Sequence, residues 1–194
     1  MIDLKKNSLN ATYLDATSLK KLNFKKCGKN VLISKLCTII NAKNIEIKNN
    51  VRIDNYSILI AGDKKNTLKI GSNVHIASFC FINGRFGVTM KDYSGLGIGV
   101  NILTVNDDFS GRSVTNPTTS GKKLLYTGSV IIGKAVNVGI NTTIMPRTKV
   151  GNYSSIGSYS FVKGILKSGY VFVGNPAVPI YKKNKTVKNL LTRK

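Results

Sequence analysis

A six-residue period is the feature that most constrains this chain. Between residues 130 and 163 it reads "VIIGKAVNVGINTTIMPRTKVGNYSSIGSYSFVK", and Ile132, Val138, Ile144, Val150, Ile156 and Val162 fall six apart without a slip. Four positions after each of the first five come Val136, Thr142, Thr148, Ser154 and Ser160, all small or β-branched, while Gly133, Gly139, Gly151 and Gly157 follow four of the aliphatics. A helix repeats near 3.6 and a plain strand alternates by two, so neither explains the pattern. A triangular solenoid does. Each unit makes one flat side, the aliphatic points to the axis, the small residue fits the narrow corner, and Gly or Asn permits the turn. A coil covers its edge only against the next coil, so such a repeat must continue and its ends need caps.

The rhythm continues upstream in triplets: Ile33 and Ile39; Ile47, Ile53 and Leu59; Ile70, Ile76 and Ile82; Met90, Leu96 and Ile102. It slips at "AGDKKNTL" and "NGRFG", which read as short corner loops. From Asn106 to Ser129, "NDDFSGRSVTNPTTSGKKLLYTGS" loses the period altogether, and loops of this length in a compact fold are usually functional. The expected architecture is all-β: a parallel β-helix over residues 28–175 with an inserted loop at 106–129, an N-terminal cap over 1–27 with a short helix around "DATSLKKL", and a basic tail over 176–194. A chain of 194 residues suits one domain.

Composition narrows the partners. Thirty basic residues against eight acidic give a net charge of +22, and residues 109–194 contain no acid at all. Such a field attracts anions: nucleic acid, an anionic membrane surface, an acidic polysaccharide or a phosphate-rich cofactor. Nucleic acid is the weakest of these, since no reading element or aromatic-basic interleaving accompanies the charge. "MIDLKKNSLN" lacks the apolar run of a signal peptide, and no stretch approaches the roughly 18 apolar residues of a membrane span, so a soluble cytoplasmic protein is expected. Cys27, Cys37 and Cys80 are odd in number and widely spaced, which suits small buried hydrophobes better than disulfides or zinc ligands. "GSVIIGKA" nearly matches a phosphate-binding loop but belongs to the repeat, and one histidine is too few for a three-histidine metal site.

The run "IGKAVNVGINTTIMPRTKVGNYSSIGSYSFV", the closing "VGNPAVPI" and the loop opening "NDDFSG" followed by "TNP" resemble the hexapeptide-repeat acyltransferases with a left-handed β-helix. Within that group the chain most resembles sugar O-acetyltransferases of bacterial lipopolysaccharide and capsule. The resemblance implies a homotrimer with intersubunit active sites, acetyl-CoA as acyl donor, a saccharide acceptor, a histidine as general base and no metal. Many members carry that histidine beside the long loop, where this chain has Asn106 and Asp107; a histidine in an "HIA" context, as in members with "DDFSG"-like loops, matches His75.

His75 is the only histidine, and a free imidazole with a pKa near roughly 6.5 can take a hydroxyl proton at neutral pH. Lying one position before Ile76, it is expected at an outward-facing corner. Asp107 and Asp108, the only adjacent acids, are expected to orient it across a subunit groove or to hold a sugar hydroxyl, with capping of the loop as their alternative role. Asn106 and Arg85 are candidates for binding the acceptor. Gly139, Asn141, Ser158 and Ser160 offer small residues beside backbone for a pantetheine arm, and Lys163, Lys182 and Lys183 could meet CoA phosphates. The function expected is O-acetylation of a surface-polysaccharide sugar. Its alternatives are N-acylation of an amino-sugar nucleotide and a noncatalytic module holding an anionic polymer or membrane.

Overall fold

In the computed structural model, which describes residues 12–108, 110 and 124–184, the chain is a parallel β-solenoid. Its first sheet stacks Lys26–Cys27, Ile45–Ile47, Leu68–Ile70, Val88–Met90, Val130–Ile132, Lys149–Val150 and Ile165–Leu166. The second stacks Val31–Ile33, Val51–Ile53, Val74–Ile76, Gly95–Leu96, Asn137–Val138, Ser155–Ile156 and Tyr170–Gly174, and the third runs from Thr38–Ile40 to Phe161–Val162. The upstream triplets are in register as read: Ile33 pairs Ile53, Ile53 pairs Ile76, and Ile76 pairs Leu96. Both slips fall in turns between the third and first sheets.

The inward aliphatics form one core in which Ile33, Ile53, Ile76, Ile102 and Ile132 are fully buried. Each such side chain contributes about 1.5–3 kcal/mol by leaving water. The narrow corners hold hydroxyls as well as small volumes. Ser57 Oγ donates to the Ala77 carbonyl (2.9 Å), Thr104 Oγ1 to that of Asn83 (2.7 Å) and Thr142 Oγ1 to that of Gly157 (3.0 Å), so these buried polar groups tie one coil to another. Corner residues also adopt positive φ in columns, among them Asn30, Asn50, Asn73 and Tyr93 between the first and second sheets. Two links of an amide ladder join the first three: Asn30 Nδ2 to Asn50 Oδ1 at 3.0 Å and Asn50 Nδ2 to Asn73 Oδ1 at 3.1 Å.

The caps and the loop differ from a bare reading of the repeat. The helix Ala16–Lys21 is present, capped by Asp15, whose side chain accepts from the Ser18 N–H. Residues 1–11 of the expected cap lie outside the described residues. The loop does not leave the solenoid at once: Val105–Asp107 and Leu125–Thr127 form an antiparallel ribbon, pinned where Arg147 donates Nε to the Thr127 carbonyl (2.7 Å) and stacks on Tyr126. The centre of the loop lies outside the described residues. The first part of the tail is a strand. Ala177–Lys182 turns back antiparallel onto Tyr170–Gly174 and covers the last open strand of the second sheet, which answers the edge problem of a stacked fold. Residues 185–194 lie outside the described residues. Cys80 is buried and Cys37 half-buried as expected, but Cys27 is exposed, because its two-residue strand is the outermost of the first sheet. No helix among the described residues is long and apolar enough to cross a membrane.

Close coil stacking decides what some glycines do. A Cβ on Gly139 would sit 2.5 Å from the Ser158 backbone nitrogen, whereas Gly164, at φ +82°, has nothing within 4 Å of its Cβ position. Gly139→Ala is therefore expected to cost about 2 kcal/mol through overpacking against backbone. Gly164→Ala is expected to cost about 1 kcal/mol through its left-handed φ alone. Urea midpoints of the two variants compare them directly.

Candidate active site

The outward positions of the second sheet form a column, coil by coil: Leu32, Arg52, His75, Gly95, Asn137, Ser155 and Val171. In Val51–Ile53 and Val74–Ile76 the flanking aliphatics are buried and the central residue is not, so Arg52 and His75 stand side by side on the outer face. His75 thus occupies the flat of a strand, not the corner expected from the sequence. Asp54 follows Ile53 at the turn into the third sheet, with its backbone N–H fixed on the Ile76 carbonyl at 2.9 Å.

These three side chains make one charged cluster. His75 Nε2 lies 2.7 Å from Asp54 Oδ2 and 2.6 Å from Arg52 Nη2. Arg52 Nη2 donates to Asp54 Oδ2 at 3.1 Å; Arg52 Nε is 3.1 Å from Oδ1 but makes no hydrogen bond, so that contact is an ion pair. The Tyr13 hydroxyl reaches Asp54 Oδ1 at 3.5 Å. The side chains of Asp54 and Arg52 are 20% and 29% exposed and that of His75 is 44% exposed, so the acid is sheltered and the imidazole accessible. Burial alone would raise the Asp54 carboxyl, but the hydrogen bond from His75 and the charge of Arg52 outweigh it and hold the group below the usual carboxylate range. Burial, with Asp54 adding to it, pushes the Tyr13 hydroxyl up. A groove of about 590 Å³ runs over Arg52, His75 and the asparagine ladder.

The sequence-predicted residues divide into three groups. His75 is in the cluster; Asp107 and Asp108 are not, and within one chain the carboxylate on His75 is Asp54. Asn106 and Asp107 belong to the loop ribbon at the corner between the third and first sheets. Arg85 lies at that same corner one coil earlier, exposed, on a groove of about 700 Å³ shared with Lys43, Asp63 and Lys64. Among the residues assigned to the acyl donor, Asn141, Ser158, Lys163 and Lys182 are exposed. Ser160 is not available: its buried Oγ donates to the Gly157 carbonyl at 2.8 Å and accepts from the Gly174 N–H at 3.1 Å. Gly139 is set by packing against the Ser158 backbone. Lys183 donates Nζ to Ser155 Oγ at 2.5 Å, and burial pulls its ammonium below the ordinary lysine value.

Beyond His75 the outer face of the second sheet carries short side chains. A Cβ on Gly95 would make only ordinary contacts, 3.7 Å from the His75 carbonyl oxygen and 3.8 Å from Asn137 Oδ1, so packing alone does not require glycine there. Asn137 and Ser155 continue that strip with short polar side chains, and Lys183 closes it with a positive charge. Of the residues assigned to the acyl donor from sequence, only Lys183 borders this strip, through its bond to Ser155.

The chain resembles known proteins in sequence and in fold. Residues 129–164 match the family described as bacterial transferase hexapeptide, six repeats. The dTDP-4-amino-4,6-dideoxy-D-glucose acyltransferase of Escherichia coli is 35% identical over 179 residues, 92% of each chain. The crystal structure of AntD, an N-acyltransferase from Bacillus cereus in complex with dTDP and 3-hydroxybutyryl-CoA, superposes with a TM-score of 0.88 at 34% identity, covering 94% of this chain and 95% of that one. WcaF of Escherichia coli K12, whose name assigns it provisionally to acetyl transfer in colanic acid biosynthesis, is 28% identical over 61% of this chain and 71% of its own.

Because Asp54 titrates below its unfolded value, its stabilising contribution is complete above about pH 4 and is lost as pH falls through the folded value. Asp54→Asn is expected to reduce the drop in urea midpoint between about pH 6 and about pH 3 relative to the parent chain. An equal drop in both would remove Asp54 from the acid transition.

Proposed function

We propose, for a chain that belongs to the bacterial hexapeptide-repeat transferases and acts as an acyltransferase on sugars, that it transfers an acyl group from an acyl-CoA to the amino group of a dTDP-linked 4-amino-4,6-dideoxy sugar. The observation that carries this reading is the 35% identity spread across 92% of both chains with an enzyme named for that substrate. It favours the amino-sugar alternative of the sequence reading over the hydroxyl acceptor. The likeness to AntD in complex with dTDP and 3-hydroxybutyryl-CoA supports the same pair of molecules.

Acyl-CoA supplies the activated carbonyl. The amine attacks it through its lone pair, and the new C–N bond leaves a proton on nitrogen that must go before or as the C–S bond breaks. His75 is the residue for that proton. Its Nε2 is engaged by Asp54 and Arg52, while Nδ1 makes no hydrogen bond among the described residues. Asp54, held ionised, stabilises the imidazolium that forms. The proton then passes to the departing thiolate, which restores the imidazole. A neutral amine is a better nucleophile than a hydroxyl, so the base has less to do than in ester formation. The subunit neighbour that the family's trimers bring to such a groove would supply any contact from the Asp107 corner.

O-acetylation is the second reading, favoured by the likeness to WcaF. One assay separates them. Labelled acetyl-CoA and 3-hydroxybutyryl-CoA are offered with dTDP-4-amino-4,6-dideoxyglucose or with hydroxyl-only glycans, and products are treated with neutral hydroxylamine, which cleaves esters and spares amides. A hydroxylamine-stable product on the amino sugar is expected, with kcat/KM lowered about 100-fold in His75→Ala. A labile product on a glycan would replace this reading with the second, and an unchanged rate in His75→Ala would remove the histidine from the chemistry.

A further inference from the structure

Resting on that reading of His75, we propose that Arg52 is a positioning residue that contests the Nε2 edge of the imidazole with Asp54 and thereby sets its tautomer. A carboxylate has acceptors only and a guanidinium donors only. With Asp54 Oδ2 at 2.7 Å, His75 Nε2 must carry a proton; with Arg52 Nη2 at 2.6 Å, it must present a lone pair. One nitrogen cannot do both, so two arrangements compete at the same place. When Nε2–H donates to Asp54, the lone pair is on Nδ1 and the ring is a base. When Arg52 donates into Nε2, the proton sits on Nδ1 and the ring is a donor.

Neither rival can simply leave. Arg52 is held by its two contacts of 3.1 Å with Asp54, and Asp54 is held by its backbone bond to Ile76 and by the Tyr13 hydroxyl at 3.5 Å. The other titratable groups around Asp54 are the Cys37 and Cys80 thiols; Cys37 Sγ donates to the Asp54 carbonyl at 3.1 Å, and burial raises both thiols, Cys80 to about 11, so they stay neutral. Among the described residues Arg52 is therefore the one cation of the cluster besides the ring itself. A cation at Nε2 opposes the imidazolium and hastens the return of a proton taken at Nδ1. Asp54 draws the ring the other way. The pair makes the histidine a base that accepts and then releases, instead of one that stays charged.

The chain has one histidine, so 15N-labelled histidine reports this site alone. Above the pH at which the ring titrates, both ring nitrogens of the parent chain should show shifts between the protonated and unprotonated limits. Arg52→Met should move Nε2 to the protonated limit and Nδ1 to the unprotonated one, Asp54→Asn should move both the opposite way, and Arg52→Lys should keep the mixture. A parent spectrum already at the Nε2–H limit and unmoved by Arg52→Met would overturn the proposal and leave Arg52 as a charge partner of Asp54. In the transfer assay the acid limb of kcat/KM should move to higher pH in Arg52→Met and return toward the parent in Arg52→Lys; a limb that stays in place in both would also overturn it. The spectra need neither donor nor acceptor, so absence of transfer would reject the activity while leaving the tautomer question answered.

Discussion

The structure depends on one backbone constraint: successive coils hydrogen-bond in parallel, in register, at a rise of about 4.8 Å. That spacing leaves room for a single side-chain layer per coil. Inward positions are therefore apolar from Ile33 to Ile156, and buried corner hydroxyls such as those of Ser57 and Thr142 bond to backbone carbonyls. Both ends of such a stack are open sheet edges. The protein closes one with the antiparallel return of Ala177–Lys182, and packs Leu14, Leu19 and Phe24 against the core at the other. Stability and shape are settled inside by buried aliphatics and at the corners by buried hydroxyls and by turn residues with positive φ.

The outward column is left free to carry chemistry, and the ladder that fixes the core also fixes that column. Arg52 and His75 are neighbours because Ile53 pairs with Ile76, not because anything draws the two side chains together. A cation packed beside a histidine is unfavourable by itself once the ring is charged. It is tolerated because Asp54, one residue past the strand, accepts from both. The cluster stores a conflict at an accessible place in an otherwise satisfied fold. Gly95, paired with His75 in the next coil, adds no side chain to that face.

The fold was legible because the inward period survives every insertion, and the slips at "AGDKKNTL" and "NGRFG" displace the chain without changing which residues face the axis. The candidate site was half legible. His75 stands out as the only histidine and Asp107 and Asp108 as the only adjacent acids, yet within one chain the carboxylate beside the ring is Asp54. Asp54 is 21 residues from His75 and becomes its neighbour only through coil register. The signal was available: Ile53 and Ile76 are equivalent positions in successive triplets, so Arg52 and Asp54 flank the histidine one coil below. Gly139 and Ser160 meet structural demands of the repeat in this fold. A repeat needs glycine where backbones approach and a hydroxyl where a corner carbonyl lacks a donor, and a single sequence shows the residue type without showing which demand it meets.

Charge completes the logic of the column. The acids of the early coils are answered locally: Glu46 by Lys25 at 2.8 Å, Asp92 by Lys48 at 3.6 Å and Asp54 by Arg52, while Asp63 caps its own turn by accepting from the Lys65 and Asn66 N–H groups. Past Asp108 no acid remains, so the lysines of the late coils, Lys149, Lys163, Lys167, Lys182 and Lys183 among them, are unopposed. The field therefore strengthens along the solenoid from the His75 coil toward the C-terminal end. Screening over about 8 Å at physiological ionic strength confines it to the surface, which is where the column lies. Multiply charged phosphates lower their energy by moving up that gradient.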